Sequence, residues 1–107
     1  MKKNTIAQFQ KSCRKIQKAI FANKKSKGFN ITNVPLEFCL IEEELSEAFE
    51  AWRKKKDDLG EEIADVVIYL VGPASILKID LGQEIIRKIN KNKKRDYQKV
   101  KGVLLKK

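Results

Sequence analysis

The chain has 107 residues, is 42% hydrophobic and carries a net charge of +10, which allows one domain with one modest core and points to a polyanionic partner. It contains no histidine, which excludes Ser-His and Cys-His catalysis and most zinc chemistry. No run approaches the about 20 apolar residues of a membrane span, Met1-Lys2-Lys3 leads into polar sequence rather than an apolar leader, and Cys13 and Cys39 are too few for a disulfide framework, so a reduced, cytoplasmic protein is expected.

Apolar residues at Ile6, Phe9, Cys13, Ile16 and Ile20 advance by three and four, the period of an amphipathic helix over about 5–23. Lys24 to Gly28 ends it. Asn33 suits an N-cap, and Pro35 sits where a first turn tolerates proline. A second helix is expected over about 36–55, with Ile41, Leu45, Ala48, Phe49 and Trp52 as its core stripe. Asp57-Asp58 breaks it and caps a third helix from Leu59. That helix turns Ile63, Val66, Val67 and Leu70 inward and is apolar on its other side too, at Ala64, Ile68 and Val71. A helix apolar on two sides is usually buried on both. A chain this small cannot cover both, so a homo-oligomer is expected. Gly72-Pro73 ends or kinks this helix. Asp80-Leu81-Gly82-Gln83 reads as a capping box for a fourth helix with Ile85, Ile86 and Ile89 as its core. The tail from Asp96 to Lys107 reads as a short docked helix. The expected class is all-α, a four-helix bundle-like single domain spanning 1–107, with a basic tail from about 96.

The acids are concentrated: eleven of 14 lie from Glu37 to Asp65, and none precedes Glu37. Two pairs have helical spacing, Glu44-x-x-Glu47 and Glu62-x-x-Asp65, which puts each pair on one helix face. At about 100° per residue, both pairs fall on the same shoulder of their apolar stripes. Glu42, Glu43, Glu50 and Glu61 point elsewhere and read as solvent-facing. Half-buried carboxylates that face one another repel unless a cation neutralises them. Oxygen ligands without His or Cys favour magnesium, with manganese as the alternative, and magnesium commonly bridges a protein to substrate phosphates. A structural charge network is the competing reading of the same pairs.

The run Glu43-Glu44-Leu45-Ser46-Glu47 followed by Glu61-Glu62-Ile63-Ala64-Asp65-Val66 resembles the E-x-x-E…E-x-x-D signature of MazG-like nucleotide pyrophosphohydrolases. Ile79-Asp80-Leu81 and the stretch from Lys88 to Arg95 are similar to that family's "I-D-L" helix start and K…N..R ending. The resemblance covers about residues 36–97. It implies an all-α homodimer or homotetramer that hydrolyses a nucleoside triphosphate to the monophosphate and pyrophosphate. It implies that Glu44, Glu47, Glu62 and Asp65 are the metal ligands and catalytic residues. It further implies that Lys88, Asn92 and Arg95 contact phosphates or order the site. Two departures stand out: Ser46 replaces the usual glycine, and Gly72-Pro73 interrupts a stretch the family keeps helical.

Lys88, Asn92 and Arg95 share one helix face, which without the resemblance reads as a solvated basic face. Trp52 reads as core before it reads as a base-stacking platform. Tyr69 either packs or lines a pocket beside the acids. Cys13 reads as a small hydrophobe. The rival function is a basic helical module that binds nucleic acid or an acidic partner, suggested by the charge and the Lys-rich ends. That rival does not account for two acid pairs on matching helical shoulders.

Overall fold

The computed structural model describes Met1–Lys107. Four helices follow one another: α1 (Lys3–Ser26), α2 (Val34–Arg53), α3 (Leu59–Ile76) and α4 (Leu81–Lys94). Two strands close the chain, β1 (Tyr97–Val100) and β2 (Val103–Lys106). The fold is all-α apart from this terminal hairpin. None of the helices is long and apolar enough to cross a membrane.

The helix ends follow local chemistry. Asn33 caps α2, its Oδ1 accepting from Leu36 N at 3.0 Å. Asp80 caps α4, accepting from Gln83 N at 3.1 Å. The C-terminal ends of α1, α2 and α3 share one device. A residue with left-handed backbone stands past the end, Gly28, Lys55 and Lys78 respectively, and the next N–H donates back into the last turn. Two of these positions are lysine, which bears a strain that glycine avoids.

The extensive packing is of α2 on α3, with α1 laid against α4 and α3. Gly82 lets the start of α4 approach α1 closely, because a Cβ there would stand 2.8 Å from Cys13 Cβ. Gln17 ties α1 to the α3–α4 connection, donating to Ile79 O at 2.7 Å and accepting from Leu81 N at 3.2 Å.

Three expectations are corrected. Gly72-Pro73 does not end α3, which runs to Ile76; Val71, Gly72, Pro73 and Ala74 are its buried residues, so packing against neighbours outweighs the hydrogen bond that proline removes. The tail is not a helix. Tyr97–Val100 pairs antiparallel with Val103–Lys106 across Lys101-Gly102, both with positive φ, as a two-residue primed turn demands. The third correction concerns the core. Leu45, Phe49 and Trp52 are 58%, 62% and 63% exposed, and Ile63, Val67 and Leu70 are exposed as well. The inward stripe of α2 keeps Ile41 and Ala48 of the expected set, both buried, and adds buried Glu37 and Ala51 and half-buried Glu44. Small alanines let α3 come close, and the large apolar side chains are left on an open face.

Candidate functional site

The inward stripe carries half-buried Glu44 of α2 toward α3, and Glu47, three residues on, is exposed at its side. On α3 the half-buried residues include Glu62, Asp65 and Tyr69, spaced three and four apart, so they follow one stripe as well. Glu44, Glu47 and Glu62 each place a carboxylate oxygen within 4.8 Å of the others. Asp65 lies outside that triad, yet its charge bears on Glu44, Glu62 and Tyr69. The four residues expected as ligands are thus brought together, three of them tightly.

This cluster has no internal cation. None of the four acids lies within ion-pair distance of a lysine or arginine. Oε2 of Glu62 is buried without a hydrogen-bond partner. The Glu44 pKa is pushed up, first by burial and then by the charges of Glu47, Asp65 and Glu62. The Glu62 pKa is also raised, by partial burial and then by Asp58, Glu47 and Asp65. The phenol of Tyr69 is shifted up by burial and by Glu44 and Asp65. Solvent-facing acids behave differently: Glu50 pairs with Lys54 at 2.8 Å, and its pKa is lowered, chiefly by hydrogen bonding to that lysine.

A cavity of about 500 Å³ opens beside the acids, between α1, the loop after it, α2 and α3. Tyr69 and Leu40 line it, four residues along their helices from Asp65 and Glu44. Its volume falls in the range of small-molecule sites. The cavity and the pairing of Lys24 with Glu37 were not anticipated from the sequence. The available signal was the spacing of Glu37, Ile41 and Glu44, which puts an acid seven residues before Glu44 on the same stripe.

Lys88 and Asn92 lie on α4 and Arg95 just beyond it, outside the carboxylate triad. The charges that bear on Lys88 are all positive, from Arg95, Lys106 and Lys91, and with its partial desolvation they lower its pKa. Nη1 of Arg95 is buried without a hydrogen-bond partner. Trp52 stays out of the cavity and stacks on Phe49, with ring centroids 6.0 Å apart.

Residues 35–100 match the MazG nucleotide pyrophosphohydrolase domain, a stretch that contains both acid pairs and the basic ending. The chain belongs to the MazG nucleotide pyrophosphohydrolase domain family. No curated protein and no solved structure matches it.

Proposed function

We propose that this protein is a magnesium-dependent pyrophosphohydrolase that converts a ribo- or deoxyribonucleoside triphosphate to the monophosphate and pyrophosphate. The observation that carries the reading is the cluster of Glu44, Glu47 and Glu62, whose oxygens lie within 4.8 Å of one another with no cationic side chain in pairing distance. Burial and the charges around Glu44 and Glu62 hold both their pKa values up, and a hard divalent cation relieves that repulsion. The orphaned Glu62 Oε2 fits a ligand role, as does an all-oxygen donor set. Glu44, Glu47, Glu62 and Asp65 would hold magnesium, or manganese in its place. Bound there, the cation supplies neutralisation of phosphate charge and a lowered pKa for a bound water.

The residues themselves position and exchange protons. Water attacks the α-phosphorus, a P–O bond forms, the bond to the bridging oxygen breaks, and pyrophosphate leaves. A carboxylate of the cluster accepts the proton that the water loses. Tyr69 adjoins Glu44, and burial and that carboxylate's charge hold its phenol protonated beside the cluster. Lys88, Asn92 and Arg95 form a basic patch for the phosphate tail. Its crowded positive charges and unpartnered Arg95 Nη1 are relieved by an anion.

The functional unit is a homodimer or homotetramer. Leu45, Phe49, Trp52, Ile63 and Val67 form an exposed apolar face on the α2–α3 pair, unusual for a monomer. A reduced cytoplasmic setting suits two free cysteines. The test is release of pyrophosphate from a panel of nucleoside triphosphates, with magnesium and with excess chelator. Magnesium-dependent formation of monophosphate and pyrophosphate supports the reading. A diphosphate-and-phosphate product, or no cleavage with salt-sensitive DNA or RNA binding in its place, overturns it.

A further inference from the structure

With the acids gathered on α2 and α3, the outer face of α1 is left with charge of one sign. α1 contains no acidic residue. Its Lys24 turns inward to Glu37, but Lys11, Arg14, Lys15, Lys18 and Lys25 are exposed and share the face opposite the apolar stripe. Lys11 with Arg14, Lys11 with Lys15, Arg14 with Lys18 and Lys15 with Lys18 stand three or four residues apart, so each is a like-charge pair that destabilises the helix. A face that is merely solvated mixes the two signs and avoids this repulsion. Here only Arg14 has an acidic partner, Asp80 at 3.5 Å.

A hollow of about 510 Å³ between α1 and the α3–α4 connection adds Lys78 to the row. Arg14, Lys15, Lys18 and Lys78 line it with a single acid, Asp80, which is already engaged by Arg14 and by its cap on Gln83 N. The hollow shares no residue with the cavity beside the carboxylates. Lys78 holds its backbone at φ 58°, a strain that glycine would relieve, so a cation is kept where the backbone least suits it.

Three features say what polyanion fits. From Lys11 to Lys25 the helix rises about 21 Å, roughly six phosphate steps along one strand of a duplex. Single strands are held by exposed aromatic platforms, whereas Phe9 and Phe21 of α1 are half-buried and the exposed rings Phe29, Phe38, Phe49, Trp52 and Tyr97 all lie outside α1. A membrane-surface helix inserts its apolar face into lipid, whereas α1 turns that face to α3 and α4. We infer that the outer face of α1, with Lys78, binds the phosphate backbone of double-stranded nucleic acid without regard to sequence. Ammonium and guanidinium groups pair with phosphate oxygens and release condensed counterions, and they read no base edge. This binding is additional to the chemistry at the carboxylates and does not rest on the pyrophosphohydrolase reading.

The test is fluorescence-polarisation titration of a labelled mixed-sequence duplex with the full-length protein in chelator, repeated as monovalent salt is raised. Lys15→Ala/Lys18→Ala/Lys78→Ala is compared with Lys93→Ala/Lys94→Ala/Lys107→Ala, which removes the same charge elsewhere, and folding of both is checked by circular dichroism. The wild type is expected to bind with a steep salt dependence. The α1-face variant is expected to bind at least tenfold more weakly at about 50 mM salt, with a log–log salt slope shallower by about three, and the other variant to stay near wild type. Magnesium-supported pyrophosphate release by the α1-face variant is expected to match the wild type. No duplex binding, equal weakening in both variants, or tighter binding of a single strand or of phosphatidylserine vesicles overturns the inference. A parallel fall in turnover overturns the separation of this face from the hydrolytic site. Duplex binding without any nucleotide cleavage supports the inference and refutes the pyrophosphohydrolase reading alone.

Discussion

Lys24 Nζ lies 2.6 Å from Glu37 Oε1, and that oxygen fills the space left by the missing side chain of Gly72. This one contact joins α1 to α2 against α3 and explains a glycine in the middle of a buried helical stretch. Breaking a buried pair by removing one partner strands the other charge, at a cost of about 3–5 kcal/mol. Lys24→Met is therefore expected to lower the urea midpoint sharply, and Gly72→Ala to do the same by displacing Glu37. Lys24→Met/Glu37→Met is expected to recover most of the loss. Equal stability of the wild type and Lys24→Met would mean that the pair contributes nothing.

The open apolar face gives a second expectation. Phe49 and Trp52 stack on each other at the surface, and Leu45 lies one turn before Phe49. Light scattering at micromolar concentration is expected to give a dimer or tetramer. Phe49→Lys is expected to shift the mass toward the monomer. A wild-type monomer contradicts the oligomeric unit.

Stability without metal is expected to depend on pH in a direction set by Glu44 and Glu62. Both carboxylates have folded pKa values above their ordinary values. The folded state therefore binds more protons than the unfolded state between the two values. Below the ordinary carboxylate pKa the groups contribute nothing; as pH rises through the raised pKa a penalty develops and then persists. In chelator, melting temperature should thus include a component that falls from acidic to neutral pH. Glu62→Gln should flatten it, and magnesium should offset it. A curve that Glu62→Gln leaves unchanged would contradict repulsion within the cluster.

Lys88→Ala and Arg95→Ala are expected to weaken substrate use while the fold survives. Lys88 is exposed and crowded by like charge, so little packing is lost with it. Steady-state kinetics should show the effect mainly in KM, with circular dichroism unchanged. Unchanged kinetics in both variants would return this patch to a solvated basic face.

The helices were legible because their signals are local: the Asn33 and Asp80 caps, the three-and-four apolar spacing of α1, and the break at Asp57-Asp58. The acid pairs were legible for the same reason, since spacing alone puts Glu44 with Glu47 and Glu62 with Asp65. Burial was not. Hydrophobicity marked Ile41, Leu45, Ala48, Phe49 and Trp52 as the inward side of α2, whereas only Ile41 and Ala48 of these are buried, together with Ala51. Size of side chain, rather than apolar character, decides which faces come closest within one chain. The tail failed for another reason: Lys101-Gly102 favours a primed turn, which only pairing of its flanks reveals. The cavity depends on residues from three helices and a loop, and no single stretch of sequence displays it.

The most direct measurement is magnesium-supported turnover of Glu47→Gln and Glu62→Gln beside Glu43→Gln and Glu50→Gln. The first two keep shape but remove charge from the cluster; the second two alter acids outside it, exposed Glu43 and Lys54-paired Glu50. Turnover is expected to fall at least tenfold in each cluster variant and to stay near wild type in the other two, with all four proteins folded. Equal turnover across the four variants would show that Glu44, Glu47, Glu62 and Asp65 are not the metal-binding centre.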